Sequence, residues 1–310
     1  MSGKLKVQPV SRVGIAPLID IAEHLRAAFP GWRDLAPQSG RNRELSDFAR
    51  DFDHLTRFDG DGFLTVSADT EVLGFATGYV RSRLLVIPQL WLLADELHDQ
   101  AAELLFRRLL GFGERAGVRD CVSHVLGGAD DHALCFRFGL RPRMPIYRMQ
   151  LPAATASLVG MELAKLLPGA DVSSDLVAKH TGASEIERLD RLVRGMSRPA
   201  DHEYWQGARN LRLATVRDGQ HVAGYAYGGA GQCGPVVAST REGLLAGLGW
   251  ALQFAATADR PVEVLIPAAA ESAIEHLLDA GADCLAASYW FSRVVPAGLD
   301  RYVLPSVTLI

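Results

Sequence analysis

Apolar residues along this chain switch between helical and strand spacing, and they do so in the same order twice. From the amino end, Ile21, Leu25 and Phe29 recur at helical intervals around Asp20 to Ala28, and a second helical stretch is expected from Glu44 to Phe58. The period then shortens. Gly62 to Ser67 and Glu71 to Val80 read as strands flanking the turn Ala68-Asp69-Thr70, and Leu84 to Leu93 is a mostly apolar third strand of the kind buried on both faces. His98 to Ala116 carries Ala101, Leu104, Leu105, Leu109 and Phe112 on one helical face and is ended by Gly117. Cys121 to Leu126 is predicted as a strand, Asp130 to Phe138 as a short helix and Pro145 to Leu151 as a closing strand.

The second pass runs in parallel. Helices are expected near Ser184 to Arg194 and Asp201 to Arg209, strands near Leu211 to Val216, His221 to Gly228 and Cys233 to Ala238, and a long helix from Thr240 to Ala256. A strand (Pro261 to Ile266), a helix (Ala270 to Ala280) and a strand (Ser288 to Val295) close it. Arg50-Asp51-Phe52-Asp53-His54 and Arg198-Pro199-Ala200-Asp201-His202 both read RxxDH. After each, the apolar hairpins match without a gap: Thr65-Val66 stands to Val72, Gly74, Ala76 and Gly78 as Thr215-Val216 stands to Val222, Gly224, Ala226 and Gly228. Motif, register and spacing together predict a duplicated domain, with Gly74 superposing on Gly224. Between the copies the chain is rich in Ala, Gly, Ser and Pro, with a break at Pro168-Gly169. The expected organisation is an N-terminal domain over 1–152, a linker over 153–183 and a C-terminal domain over 184–310, of mixed α/β (α+β) class.

Composition narrows the chemistry. With 310 residues, 48% hydrophobic and 22% charged, the chain can bury two cores. A net charge of −4 gives no general attraction for nucleic acid or an anionic membrane, and the amino-terminal segment lacks the apolar run of a signal peptide, so a cytoplasmic protein is expected. Cys121, Cys135, Cys233 and Cys284 show no metal-ligand spacing, and neither a metal nor a disulfide framework is predicted.

The repeated order of helices, three-strand meander, long helix, strand, short helix and closing strand resembles the GNAT acyltransferase superfamily, here in tandem. That resemblance implies acyl-CoA, acetyl-CoA or another short acyl thioester, held where the strand before the long helix pairs with pantetheine, with the pyrophosphate on the helix N-terminus. Family members write the pyrophosphate loop as [QR]xxGx[GA]. In the first half the frame gives Leu97, Gln100 and Ala102 within an acidic segment, Ala94 to Glu103. In the second half it gives Val236, Val237 and Ala238 for pantetheine, then Arg241, Glu242, Gly243, Leu244 and Ala246, with Ser239 and Thr240 able to cap the helix. The second half is therefore the expected cofactor site, against the alternative of a capped core helix. The tyrosine that many members use as general acid falls at Cys135 and Leu277.

Arg198, Asp201 and His202, followed by Glu203, Tyr204 and Trp205, form the densest polar and aromatic group in the chain. One reading makes His202 or Glu203 the base for an acceptor amine, with Arg198 and Asp201 in substrate binding and Tyr225 and Tyr227 lining the pocket, Tyr289 and Trp290 adding aromatic wall. The other makes the group a structural cap and ion pair that hold the helix to the sheet; for both, Asp201 is expected to cap the helix, His202 and Glu203 to face outward, and Arg198 to lie within reach of a carboxylate. The expected activity is N-acyl transfer to a small-molecule amine through one competent half, in a monomer or homodimer. The alternatives are a non-catalytic binding protein and a thioester enzyme such as a decarboxylase.

Overall fold

The computed structural model describes residues 4–28, 41–93, 97–118, 120–126, 129–167, 169–173, 182–256 and 260–310. The chain is built as two units. The first holds Met1–Pro142 together with Tyr289–Arg293, and the second holds Arg143–Ser288 with Val294–Ile310.

In the first unit the elements are β1 (Leu5–Pro9), α1 (Ala16–Ala28), α2 (Arg41–Asp59), β2 (Phe63–Ala68), β3 (Glu71–Arg81), β4 (Leu84–Leu92), α3 (His98–Arg115), β5 (Asp120–Val125) and α4 (Ala129–Arg137). Strands β1 to β4 are antiparallel neighbours in sequence order. β5 lies parallel to β4, the crossover being α3. Successive residues of β3 take opposite faces. Ala76 packs with Ala101, Leu105 and Leu109 of α3, whereas Phe75 meets Phe52 of α2 at 5.3 Å and Trp91 at 5.6 Å between ring centroids.

The second unit contains all but the first two residues of β6 (Arg141–Leu151), α5 (Ala153–Ala164), β7 (Gly169–Ser173), α6 (Gly182–Arg194), α7 (Pro199–Gln206), β8 (Arg212–Asp218), β9 (His221–Gly229), β10 (Gln232–Ala238), α8 (Arg241–Ala255), β11 (Val262–Pro267), α9 (Glu271–Asp279), the first part of β12 (Asp283–Ser292) and β13 (Tyr302–Val303). Its strand order is β6-β11-β10-β9-β8-β7.

The duplication holds at the level of register. In β2 and β3, Thr65 faces Phe75 and Val66 faces Gly74, with a bulge immediately after Val66. In β8 and β9, Thr215 faces Tyr225 and Val216 faces Gly224, with a bulge immediately after Val216. Gly74 in turn faces Leu92, and Gly224 faces Ala238. Each glycine is required by a close approach: a Cβ on Gly74 would lie 2.8 Å from the Leu92 Cα, and one on Gly224 would lie 3.0 Å from the Val237 carbonyl oxygen. α4 and α9 end alike, on Gly139 at φ +78° and Gly281 at φ +82°. The following amides bond back to the carbonyls of Cys135 and Leu277.

The expected boundaries need correction. Residues 153–183 are not a featureless linker: α5 docks on α8, where Gly160 and Gly249 let the backbones meet, and a Cβ on Gly160 would sit 2.7 Å from the Gly249 carbonyl oxygen. Gln253 Nε2 also donates to the Gly160 carbonyl oxygen at 3.1 Å. β7 pairs with β8 from Gly169↔Arg217 to Ser173↔Leu213. The closing strands are exchanged. β6 pairs with β11 in the second unit, from Val262↔Leu151 to Pro267↔Ile146, and Tyr289–Ser292 pairs with β5 in the first. Burial explains why: Met149 and Leu151 belong to the core built on α8 and β11, whereas Phe291 belongs to that built on α3.

Candidate functional site

α6 is amphipathic, and Ile186, Leu189, Asp190 and Val193 share its buried stripe. The carboxylate thus enters the interior, where Arg198 Nη2 donates to Asp190 Oδ1 at 2.8 Å and Tyr225 donates its hydroxyl hydrogen to the same oxygen at 2.6 Å. Arg198 also reaches the Tyr225 oxygen at 2.8 Å and the Tyr302 oxygen at 3.1 Å. His202 bridges Asp190 Oδ2 through Nε2 at 2.8 Å and the Tyr227 hydroxyl through Nδ1 at 3.0 Å. Burial alone would raise the Asp190 pKa, but the Arg198 charge and the His202 hydrogen bond outweigh it and hold the carboxyl at about 2.

These contacts place the sequence-selected residues differently from the expectation. Tyr225 and Tyr227 do share a side of β9, but it is the core side. His202 is 4% exposed and faces inward rather than outward, because α7 turns its aromatic side to the sheet; Glu203 points to solvent. Arg198 pairs with Asp190, a residue outside the RxxDH motif, and itself occupies the N-cap position of α7, while Asp201 is buried in its first turn. Tyr289 lies in the first unit, its ring 5.5 Å from His132. The group binds α6, α7 and β9 together, and His202 and Glu203 do not converge on one space.

The expected cofactor frame at β10 and α8 is also occupied from within. β10 pairs with β11 only at Gln232↔Glu263 and Cys233↔Val264. Past a bulge the two strands diverge, and β13 enters the gap, with Val236 facing Val303, Val237 facing Tyr302 and Leu265 bridging Leu304. Gln232 Nε2 donates to the Pro305 carbonyl at 2.7 Å, and Arg301 Nη1 donates to the Ser239 carbonyl at 3.0 Å, beside the α8 N-terminus. Ala238 pairs with Gly224 in β9. Thr240 does cap α8, accepting from the Gly243 amide at 3.0 Å. Gly243, Leu244 and Ala246 are buried, and Arg241 and Glu242 are exposed. A pantetheine chain at Val236–Ala238 would have to displace β13.

The first unit keeps the corresponding gap open. β4 and β5 pair from Leu84↔Asp120 to Ile87↔Ser123 and then stop at Pro88, which has no amide hydrogen to continue the ladder. Among the described residues no strand enters beyond that point. A pocket of 70 Å³ lies there, with Leu90, Trp91 and Leu92 on one side and Ser123, His124 and Leu126 on the other. His98 of α3 and Asp131 and Cys135 of α4 complete the polar lining. Burial lowers the His124 pKa to about 4, opposed by a hydrogen bond to the Pro88 carbonyl, so the imidazole is neutral and ties β5 to β4. Burial pushes the Cys135 thiol up to about 12 despite the Ser123 hydroxyl beside it. Burial also raises the Asp131 carboxyl to about 6, offset in part by His98 and reinforced by Asp130. Sequence reasoning missed Asp131 because one carboxylate at the start of a short helix reads as a dipole partner. Ala94, Asp95 and Glu96, part of the acidic segment before α3, lie outside the described residues.

No protein-family profile matches the chain. No curated protein matches it either. Solved structures do match. A candidate acetyltransferase from Pyrococcus horikoshii aligns over 100% of this chain and 97% of its own, with a TM-score of 0.70 and 16% identity. A GCN5-related N-acetyltransferase from Sphaerobacter thermophilus aligns over 96% and 97%, with a TM-score of 0.56 and 16% identity. A tandem GNAT protein from the clavulanic acid biosynthesis pathway aligns over 93% and 98%, with a TM-score of 0.56 and 13% identity. The chain therefore has the GNAT fold in tandem.

Proposed function

We propose that this protein is an acyl-CoA-dependent N-acyltransferase that transfers acetyl, or another short acyl group, to the amine of a small molecule, and that its thioester site is the opening between β4 and β5 of the first unit. One observation carries this reading: of two equivalent strand divergences, the one past Ile87 is an open, mostly apolar pocket, and the one past Cys233 is filled by β13. The site therefore moves from the α8 frame expected from sequence to the α3 frame. An extended pantetheine arm would take the place in the first unit that β13 takes in the second, and the thioester would lie beside β4 within the pocket. Such chemistry needs a positioned neutral amine and a polarised carbonyl more than a covalent intermediate.

Equilibrium titration with acetyl-CoA tests this. One molecule should bind per chain. Leu126→Trp, which adds bulk to the pocket lining, should weaken binding at least tenfold, and Arg241→Glu at the α8 N-terminus should leave it unchanged. Loss of binding in Arg241→Glu with retention in Leu126→Trp would return the site to the second unit. A non-catalytic binding role is favoured by the residues at the family's acid position, a thiol held protonated at Cys135 and an apolar Leu277. Acetyl-CoA that binds but is never cleaved would select that role.

A further inference from the structure

Given the thioester site proposed above, an amine acceptor must shed a proton before its nitrogen can attack, and the departing thiolate must gain one. The side chains at the family's usual acid position cannot supply this, since Leu277 has no ionisable proton and Cys135 faces the Ser123 hydroxyl in the interior. We infer that Asp131, on the first turn of α4 and lining the β4/β5 pocket, is the catalytic group that takes the proton from the acceptor's ammonium and returns it to the leaving sulfur. The acceptor class that follows is a cationic amine, whose positive charge the carboxylate attracts before transfer.

The geometry supports this assignment in three respects. Asp131 lines the same pocket as Trp91, Leu126 and His98, one helical turn before Cys135, so its carboxyl stands next to the usual acid position. Among the described residues it shares the pocket with an imidazole from α3, His98, rather than with an arginine that would fix it as a permanent anion. Asp130 on its own helix and His98 from α3 act on its charge, and of the other polar groups in the pocket His124 from β5 is held neutral and Cys135 is held protonated. With an ionisation near 6, the carboxyl is mostly charged at neutral pH yet close enough to that pH to carry a proton.

The proton balance closes without another reactant. R–NH3+ gives a proton to the Asp131 carboxylate, and the amine nitrogen forms the C–N bond at the thioester carbonyl. The tetrahedral adduct breaks its C–S bond, the sulfur leaves as thiolate and takes the proton from the Asp131 carboxyl, and the second nitrogen proton passes to water.

Acetyl-CoA cleavage, read as thiol release with n-propylamine as acceptor, tests the assignment across pH in the wild type, Asp131→Asn and Asp131→Glu, with acetyl-CoA affinity and melting temperature measured alongside. The wild-type rate should rise through a limb near pH 6. Asp131→Asn should keep its affinity for acetyl-CoA, lose the limb and fall about a hundredfold or more in kcat, and Asp131→Glu should restore the limb. Unchanged turnover in a folded Asp131→Asn protein overturns the assignment, as does a wild type that binds acetyl-CoA but does not cleave it with this amine. A wild type that binds no acetyl-CoA overturns instead the thioester site on which the assignment rests.

Discussion

Asp190 shows how one residue decides whether a polar group is a site or a brace. It stands where the α6 stripe would otherwise be apolar, and Arg198, Tyr225 and His202 all satisfy it. Removing a single member of a buried charge pair leaves the other uncompensated, at a cost of about 3–5 kcal/mol. Arg198→Ala should therefore lower the melting temperature sharply. Asp190→Asn should also destabilise the fold, with a pH signature. Because its folded pKa of about 2 lies below the ordinary 3.8, ionised Asp190 stabilises the fold above about pH 4 and loses that contribution as pH falls through about 2. The stability gap between wild type and Asp190→Asn, measured by urea unfolding, should narrow as pH falls below about 4. His202→Ala would leave the Tyr227 hydroxyl and one Asp190 oxygen without that partner, costing about 1–3 kcal/mol. Acyl transfer per folded molecule should not change. Paired glycines give a graded check: Gly74→Ala should cost more than Gly224→Ala in melting temperature, since its Cβ would approach the facing strand more closely.

Among the elements, those with strong periodicity were legible in the chain and those shaped by their neighbours were not. α3, α8 and the paired hairpins carry long runs at a single period, and their registers match the sequence alignment residue for residue. β1 alternates Leu5 and Val7 with Lys6 and Gln8 over too short a span to stand out. α5 lies within a segment whose Ala, Gly and Ser content reads as loop, although those small residues are what let it lie on α8. Gly249→Val should disrupt that docking and lower the second unit's stability by several kcal/mol, visible as an early unfolding transition. For the candidate site, the RxxDH group was visible because it is polar and dense, yet density marked a buried network. The pocket residues were obscure because His98, His124 and Asp131 come from separate elements, each ordinary alone. β13 spans only Tyr302–Val303, and nothing in its composition announces that it fills a strand gap.

At the level of the molecule, duplication followed by divergence accounts for the two units better than two separate origins would. Equivalent bulges, glycines and helix caps persist, while the interiors have changed character. Phe75 stands where Tyr225 does, and Thr77 where Tyr227 does, so an aromatic cluster in the first unit replaces the Asp190-centred network of the second. One open gap and one filled gap fit the proposal that a single copy holds the thioester site. Separately expressed fragments covering 1–152 and 184–310 should be far less stable than the intact chain, because each lacks a strand that its sheet includes. Limited proteolysis of the two fragments against the whole protein measures this.

The exchanged strand also sets a schedule for biosynthesis. Translation proceeds from the amino end, and domains ordinarily fold as they emerge. Here the first unit's sheet ends on Tyr289–Ser292, which leaves the ribosome only after nearly all of the second unit's chain. Until then, the edge of β5 is exposed in the nascent protein, the kind of edge that recruits chaperones or pairs with another nascent copy. Production of this protein should therefore respond to elongation rate and chaperone supply more than its final stability would indicate.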